Sequence, residues 1–138
     1  MLRYYFPFIM LLFAFIAVGQ SKDCLKYEPD TVKVVGVIER DTFPGRPNYE
    51  SIKDGDESEI YWILKLSKSV CVIGKPNDDL NESENNITEM QLVLTEEQYD
   101  VYRKLIGKKV VVSGTLFHSI SAHHKTTVLI SVVKMVAA

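Results

Sequence analysis

The chain has 138 residues, of which 46% are hydrophobic and 25% are charged, and its formal net charge is −2 at pH 7. This composition is ordinary for a folded domain of the commonest size. It lacks the basic surplus with which proteins hold a phosphate backbone, so we expect no nucleic acid among its partners.

The N-terminus has the pattern of an export signal. A positively charged start precedes the run 6–18, which has no charged residue, and Ala17 and Gly19 are the small residues that a signal peptidase requires. We therefore expect residues 1–19 to be a cleaved signal peptide and residues 20–138 to form a single periplasmic or extracellular domain without membrane attachment. The alternative is an uncleaved anchor, although the apolar run is shorter than the roughly 20 residues that span a bilayer.

The two cysteines, Cys24 and Cys71, predict a disulfide, because an isolated pair in an oxidising compartment is normally bonded. Their spacing is not the Cys-x-x-Cys of a redox enzyme. We therefore expect a structural bond that contributes about 4 kcal/mol by restricting the unfolded chain.

The first half of the domain predicts strands separated by a long loop. Residues 31–40 are rich in β-branched side chains, and Gly36 in their middle indicates a bend. Residues 41–58 are dense in turn-forming residues and predict a loop of unusual length. A strand at 59–66 follows, and 70–73 either continues it or pairs beside it.

The second half predicts one helix among further strands. Residues 74–86 are polar and contain two glycosylation sequons, at Asn81 and Asn86, and a strand follows at 88–94. A capping box of Thr95 and Gln98 opens a helix. The helix carries an apolar stripe of Tyr99, Tyr102, Leu105 and Ile106, and it ends at Gly107. Two strands, at 108–117 and 126–136, complete the chain and are joined by a loop at 118–125.

This order of elements predicts a mostly β protein with one helix, folded as a small five-stranded OB-fold-like barrel. In that fold a helix between the third and fourth strands closes one end of the barrel. The alternative is an open α+β sheet with one covering helix.

Several motifs resemble an uncharacterised bacterial family, the domain of unknown function 4431 (DUF4431). The resemblance runs from about Cys24 to the end of the chain. It implies export from a bacterial cell and a small β-rich domain, and it brings no assigned reaction. The residues that carry it are Phe43-Pro44-Gly45-Arg46-Pro47-Asn48-Tyr49-Glu50-Ser51, Gly55-Asp56, Tyr61-Trp62, Val70-Cys71-Val72, Gly114-Thr115-Leu116-Phe117 and His123-His124-Lys125-Thr126.

OB-folds bind oligonucleotides and oligosaccharides with the first long loop and the loop between the last two strands. We therefore predict a ligand-binding rim made by loops 41–58 and 118–125, with stacking aromatic rings and Arg46 as a clamp for an anion or carboxylate. The alternative is that these aromatic residues and the prolines beside them only shape the loop. The candidate ligand-binding residues are Phe43, Arg46, Tyr49, His118, His123 and His124, with Trp62 if its side chain points outward.

The sequence thus favours an exported, non-enzymatic module that binds a small molecule or glycan. One alternative is an interaction or inhibitor-type protein that docks on another exported protein through the same rim.

A second alternative is a divalent-metal site made by His118, His123 and His124, since imidazole is the commonest metal ligand. His123 and His124 are adjacent, so both reach one ion only if the loop turns there. Apart from such a metal we expect no cofactor.

Enzymatic motifs are missing from the sequence, which has no Gly-x-Ser-x-Gly elbow, phosphate-binding glycine loop or His-Glu-x-x-His. Asp54 and Asp56 are paired acids, but in a Lys-Asp-Gly-Asp turn we expect them to be solvated. We therefore expect no catalytic residues.

Overall fold

The computed structural model describes residues 23–138; the predicted signal peptide at 1–19 lies outside the described residues. Over these residues the protein is mostly β with one short helix. Its elements are β1 (Leu25–Lys26), β2 (Thr31–Pro44), β3 (Ser58–Ile73), β4 (Glu84–Val93), α1 (Glu96–Tyr102), a 3₁₀ turn (Arg103–Leu105), β5 (Lys109–His118) and β6 (Val128–Ala137).

Five strands hydrogen-bond in a closed ring. β2 pairs antiparallel with β3 and β5, β3 with β4, and β5 with β6, and a parallel pairing of β4 with β6 completes the circuit. This is the strand order of an OB-fold, so the predicted fold class is confirmed. The open-sheet alternative is wrong, because β4 bonds to neighbours on both sides and joins the two ends.

The ring closes because β2 is long and bends at Gly36. This residue pairs with Val110 of β5 and with Leu66 of β3, so it marks the point where β2 passes from one partner to the other. A Cβ atom here would lie 2.3 Å from the carbonyl oxygen of Lys65. Only glycine allows this close approach of two backbones.

Two element boundaries differ from the predicted ones by more than two residues. β2 continues to Pro44, because Phe43 still pairs with Glu59, and the first loop is therefore 45–57. β4 starts at Glu84 although its first residues are polar, because they extend the ladder with β3. In both cases pairing with a neighbour overrides local composition. β3 runs to Ile73 with register shifts against β4, so 70–73 continues it, which is one of the two predicted alternatives, and the second loop is 119–127 rather than 118–125.

The helix closes one end of the ring as predicted. Thr95 accepts from the backbone N–H of Gln98, and the Gln98 side chain accepts from the backbone N–H of Thr95, which completes the capping box. Tyr99 packs edge-on against Trp62, with ring centroids 4.9 Å apart. Gly107 ends this segment at a φ of 79°.

The predicted disulfide is present. Cys24 and Cys71 are bonded, with 4.7 Å between their Cα atoms, and β1 pairs parallel with the end of β3 directly beside the bond. The short strand β1 was not predicted, because two residues carry no readable pattern. Within residues 23–138, no helix is long and apolar enough to cross a membrane.

Candidate functional site

The first loop, 45–57, is organised by Asp56. Its carboxylate accepts hydrogen bonds from the backbone N–H groups of Asn48, Glu50 and Ser51 at 2.8–2.9 Å. These hydrogen bonds lower the pKa of Asp56, and the one from Ser51 has the largest effect. The expectation of a solvated Asp56 is therefore wrong: its side chain is 6% exposed and holds the loop in shape.

The loop presents Tyr49 in an unusual backbone conformation. Its φ is 58°, a left-handed value that is rare for a bulky residue, and its N–H donates to the Gly45 carbonyl at 2.8 Å. Such conformations persist only where the surrounding structure fixes them, and they concentrate at functional sites. Here the conformation belongs to the aromatic residue that reaches the second loop.

The second loop, 119–127, is fixed from below by Gln91 of β4. The buried Gln91 side chain accepts from the N–H of Lys125 at 2.6 Å and donates to the carbonyl of His123 at 3.1 Å. Its own backbone N–H donates to the hydroxyl of Thr126 at 2.8 Å. Both ends of the amide are thus used to hold the loop against the sheet.

Two buried apolar residues share the sheet face on which Gln91 holds the second loop. Ile63 and Leu129 are fully buried but lie apart from the main core cluster. Each is a register partner of Gln91, so each shares the face on which Gln91 binds the loop. The hydrogen bonds of Gln91 therefore hold the second loop against the face on which these two residues are buried.

The two loops meet at Lys125. Its ammonium lies 5.9, 5.1 and 5.7 Å from the ring centroids of Phe43, Tyr49 and Tyr61. It donates to the carbonyl of Ala122 at 2.7 Å, and its side chain is only 9% exposed. A cation over aromatic faces is stabilised by about 0.5–2 kcal/mol. Lys125 therefore joins the end of β2, the first loop and β3 to the second loop.

His123 lies on top of this cluster and is exposed to solvent. Its Nε2 is 3.5 Å from the Tyr49 hydroxyl, its Nδ1 is 3.3 Å from the Tyr61 hydroxyl, and 58% of its side chain is exposed. The Tyr61 hydroxyl in turn donates to Glu59 at 2.8 Å. Burial first, and then Glu59, raise the pKa of Tyr61 to about 12, so this hydroxyl keeps its proton.

We name the cluster of Phe43, Tyr49, Glu59, Tyr61, His123 and Lys125 the aromatic rim. It contains three of the predicted ligand-binding residues, Phe43, Tyr49 and His123. The sequence did not predict the other three rim residues, Glu59, Tyr61 and Lys125. Glu59 and Tyr61 are separated by two positions in a predicted strand and therefore share a face with each other, a signal that was available.

The other predicted residues lie elsewhere or have different partners. Trp62 is 6% exposed and points into the core, so it is not part of the rim. Arg46 is exposed, and its guanidinium has no hydrogen bond or ion pair with any of residues 23–138. His124 accepts from the N–H of Ile120 at 3.0 Å and packs against Phe117. Burial lowers the pKa of His124 most, and the charge of His123 lowers it further.

His118 is separated from the other two histidines by its partners. Its Nε2 is 2.9 Å from Glu84 and its Nδ1 is 3.1 Å from the carbonyl of Ser119. Burial lowers its pKa, but the bonds to Glu84 and Ser119 outweigh burial, so the net shift is upward. Among residues 23–138, the group with metal-ligand spacing is Glu82, Glu84 and His118, and it includes neither His123 nor His124. The predicted three-histidine set is therefore not assembled.

Two clefts in the surface lie outside the centre of the aromatic rim. One of about 370 Å³ lies between β1, β2 and β3 at Leu25, Leu66 and Val70. Another of about 200 Å³ lies beside the rim, between 86–89 of β4 and 125–127. Within residues 23–138, polar and aromatic groups from both loops converge at the rim, whereas the first cleft is lined by residues of β1, β2, β3 and β5.

The comparisons with known proteins give one match. Residues 89–136, from the middle of β4 to the end of β6, match the family model described as a domain of unknown function, DUF4431. No curated protein and no solved structure matches the chain. The match supports the predicted resemblance to DUF4431 over residues 89–136 and does not extend to the part of the domain before residue 89.

Proposed function

We propose that this protein is an exported binding module that takes a glycan or another small polar ligand on the aromatic rim. The observation that carries the proposal is the meeting of the two loops at Lys125, with the exposed His123 between the hydroxyls of Tyr49 and Tyr61. Loops at these two positions are the ligand-binding loops of OB-folds. Export rests on the N-terminal pattern, and the disulfide supports it.

The chemistry of the rim suits a polyhydroxylated ligand. Tyrosine rings offer flat apolar faces on which a sugar ring or a planar group can lie, and their hydroxyls offer hydrogen bonds at the edges. His123 adds a nitrogen that can donate or accept, and Glu59 adds an acceptor that is 20% exposed. The Arg46 guanidinium, which has no partner among residues 23–138, can pair with a carboxylate or anion on a larger ligand.

The rigidity of the rim supports small-ligand binding. Asp56 fixes one loop, Gln91 fixes the other, and Lys125 ties them together. A surface that is already ordered loses little side-chain entropy when it binds, which favours affinity for a small partner.

A second candidate function is docking on another protein through the same rim. Ile120 of the second loop is 67% exposed. Exposed apolar side chains beside aromatic residues are a feature of protein interfaces. This candidate predicts that Ile120, rather than His123, carries the binding.

The experiment is a glycan-array and thermal-shift screen of the oxidised protein, repeated with Tyr49→Phe and His123→Ala. We expect a ligand that raises the melting temperature of the native protein by mass action and whose Kd weakens at least tenfold in both variants. Lys53→Ala is the matched control, because Lys53 is exposed on the same loop and should leave Kd unchanged. A hit that both variants retain contradicts the rim as the site. A protein partner that is lost with Ile120→Ser but kept with His123→Ala favours docking instead.

A further inference from the structure

A second cluster of functional side chains lies where β4 begins and β5 ends. One ligand atom each from Glu82, Glu84 and His118 lies within 4.8 Å of the other two. Two come from the segment that enters β4 and one from the last residue of β5, so the fold brings together groups that are more than thirty positions apart. None of them belongs to the aromatic rim.

The orientation of His118 is the first argument for a metal site. Its Nδ1 lies 3.1 Å from the Ser119 carbonyl oxygen, which can only accept, so a proton is on Nδ1. Nε2 lies 2.9 Å from the Glu84 carboxylate, which also only accepts, so without a metal Nε2 carries a proton, and a bound ion would take the place of that proton. Metal-binding histidines typically use this arrangement, in which a backbone carbonyl outside the ligand set fixes the tautomer and aims the other nitrogen.

The backbone around the cluster is already fixed. The Tyr27 hydroxyl donates to the Glu82 carbonyl at 2.5 Å, and the His118 N–H donates to the Asn81 side chain at 3.0 Å. The hydroxyl of the intervening Ser83 accepts from the N–H of Gly74 at 2.8 Å. The ligand-bearing residues are thus held in place by groups that do not themselves belong to the set.

The cluster has more negative than positive charge. Within residues 23–138, Glu84 forms an ion pair with His118, and Glu82 forms no ion pair. A bound cation would replace the proton shared by His118 and Glu84 and would balance the remaining carboxylate.

We propose that Glu82, Glu84 and His118 bind a divalent transition-metal ion of the zinc type. One imidazole nitrogen and two carboxylate oxygens are ligands that Zn²⁺ accepts, and bonds of roughly 2.0–2.2 Å require only small movements from the observed separations. Three protein ligands leave a fourth position for water. The ion would tie the β3–β4 loop to the end of β5, and this inference does not rest on the proposed rim function.

The test is calorimetric titration of the oxidised, EDTA-stripped protein with Zn²⁺, together with Co²⁺ absorption spectra. We expect one ion per chain, a Co²⁺ visible band without thiolate charge transfer, and binding at least tenfold weaker in Glu84→Gln and His118→Gln. His123→Gln and His124→Gln are the matched controls and should bind like the original protein.

Because His118→Gln also removes an ion pair, Glu82→Gln is the second variant, since Glu82 makes no ion pair in the described chain. Its expected effect is again a loss of at least tenfold, with the fold intact by circular dichroism. No binding at millimolar Zn²⁺, or equal binding in Glu82→Gln and the original protein, overturns the proposal. Binding that depends on His123 also overturns it, because the ion would then lie at the rim.

Discussion

Replacing Gln91 by leucine is the sharpest test of how the aromatic rim is built. The substitution keeps the side-chain volume nearly constant, so it creates no large cavity. It removes two hydrogen bonds at 2.6 and 3.1 Å and leaves the N–H of Lys125 and the carbonyl of His123 without their partner beneath the loop. An unsatisfied buried backbone group costs about 1–3 kcal/mol, so we expect the free energy of unfolding to fall by about 3 kcal/mol.

The assay is urea denaturation of the oxidised protein, with the His123 ring resonances followed by NMR. The midpoint should fall with an unchanged m value, and the His123 resonances should move because the loop loses its anchor. Gln98→Leu is the matched control: it removes the half-buried glutamine of the capping box, with an expected loss of about 1 kcal/mol and no change at His123. A loss in Gln91→Leu no larger than in the control, or unmoved His123 resonances, would refute the reasoning.

Three further predictions concern the fold. Changing Cys24 and Cys71 together to serine should lower the free energy of unfolding by about 4 kcal/mol, because the disulfide joins residues that are 47 positions apart. Chemical denaturation measures this loss, and a loss below about 1 kcal/mol would contradict the prediction. Gly36→Ala should destabilise by about 3 kcal/mol or more, because the new Cβ meets a backbone carbonyl, whereas Val35→Ala, at a half-exposed neighbour, should cost less than half of that. Asp56 has a lowered folded pKa, so it stabilises above the unfolded carboxyl pKa of about 3.9, and this contribution disappears as the pH falls through the folded value. Asp56→Asn should remove that part of the acid dependence in thermal melts from pH 6 to 2, and an unchanged pH profile would show that Asp56 does not supply it.

The candidate site was partly predictable. The OB-fold order of elements placed the first long loop next to the last one, and the structure does bring Tyr49 and His123 to within 3.5 Å. Lys125 was not predicted, because a lysine in a polar loop normally points into solvent. Its burial results from three aromatic rings that are far apart in the sequence, Phe43, Tyr49 and Tyr61.

The histidines show why spacing alone misleads. All three fall within seven positions, at 118, 123 and 124, which suggests a shared site. Each imidazole has different neighbours, and the group with metal-ligand spacing in residues 23–138 combines His118 at the end of β5 with two glutamates at the start of β4. Proximity in the sequence is not proximity of ligand atoms once the chain turns.

Local chemistry in the sequence was sufficient to determine the capped helix at Thr95, the bend at Gly36 and the pairing of the two cysteines. Each of these depends on a short pattern or on a residue type with few alternatives. Only the tertiary structure decided that Trp62 faces the core, that Asp56 is buried, and that Gln91 holds a loop. Those outcomes depend on which strand lies next to which and on what covers each face, and a single strand's alternation does not contain that information.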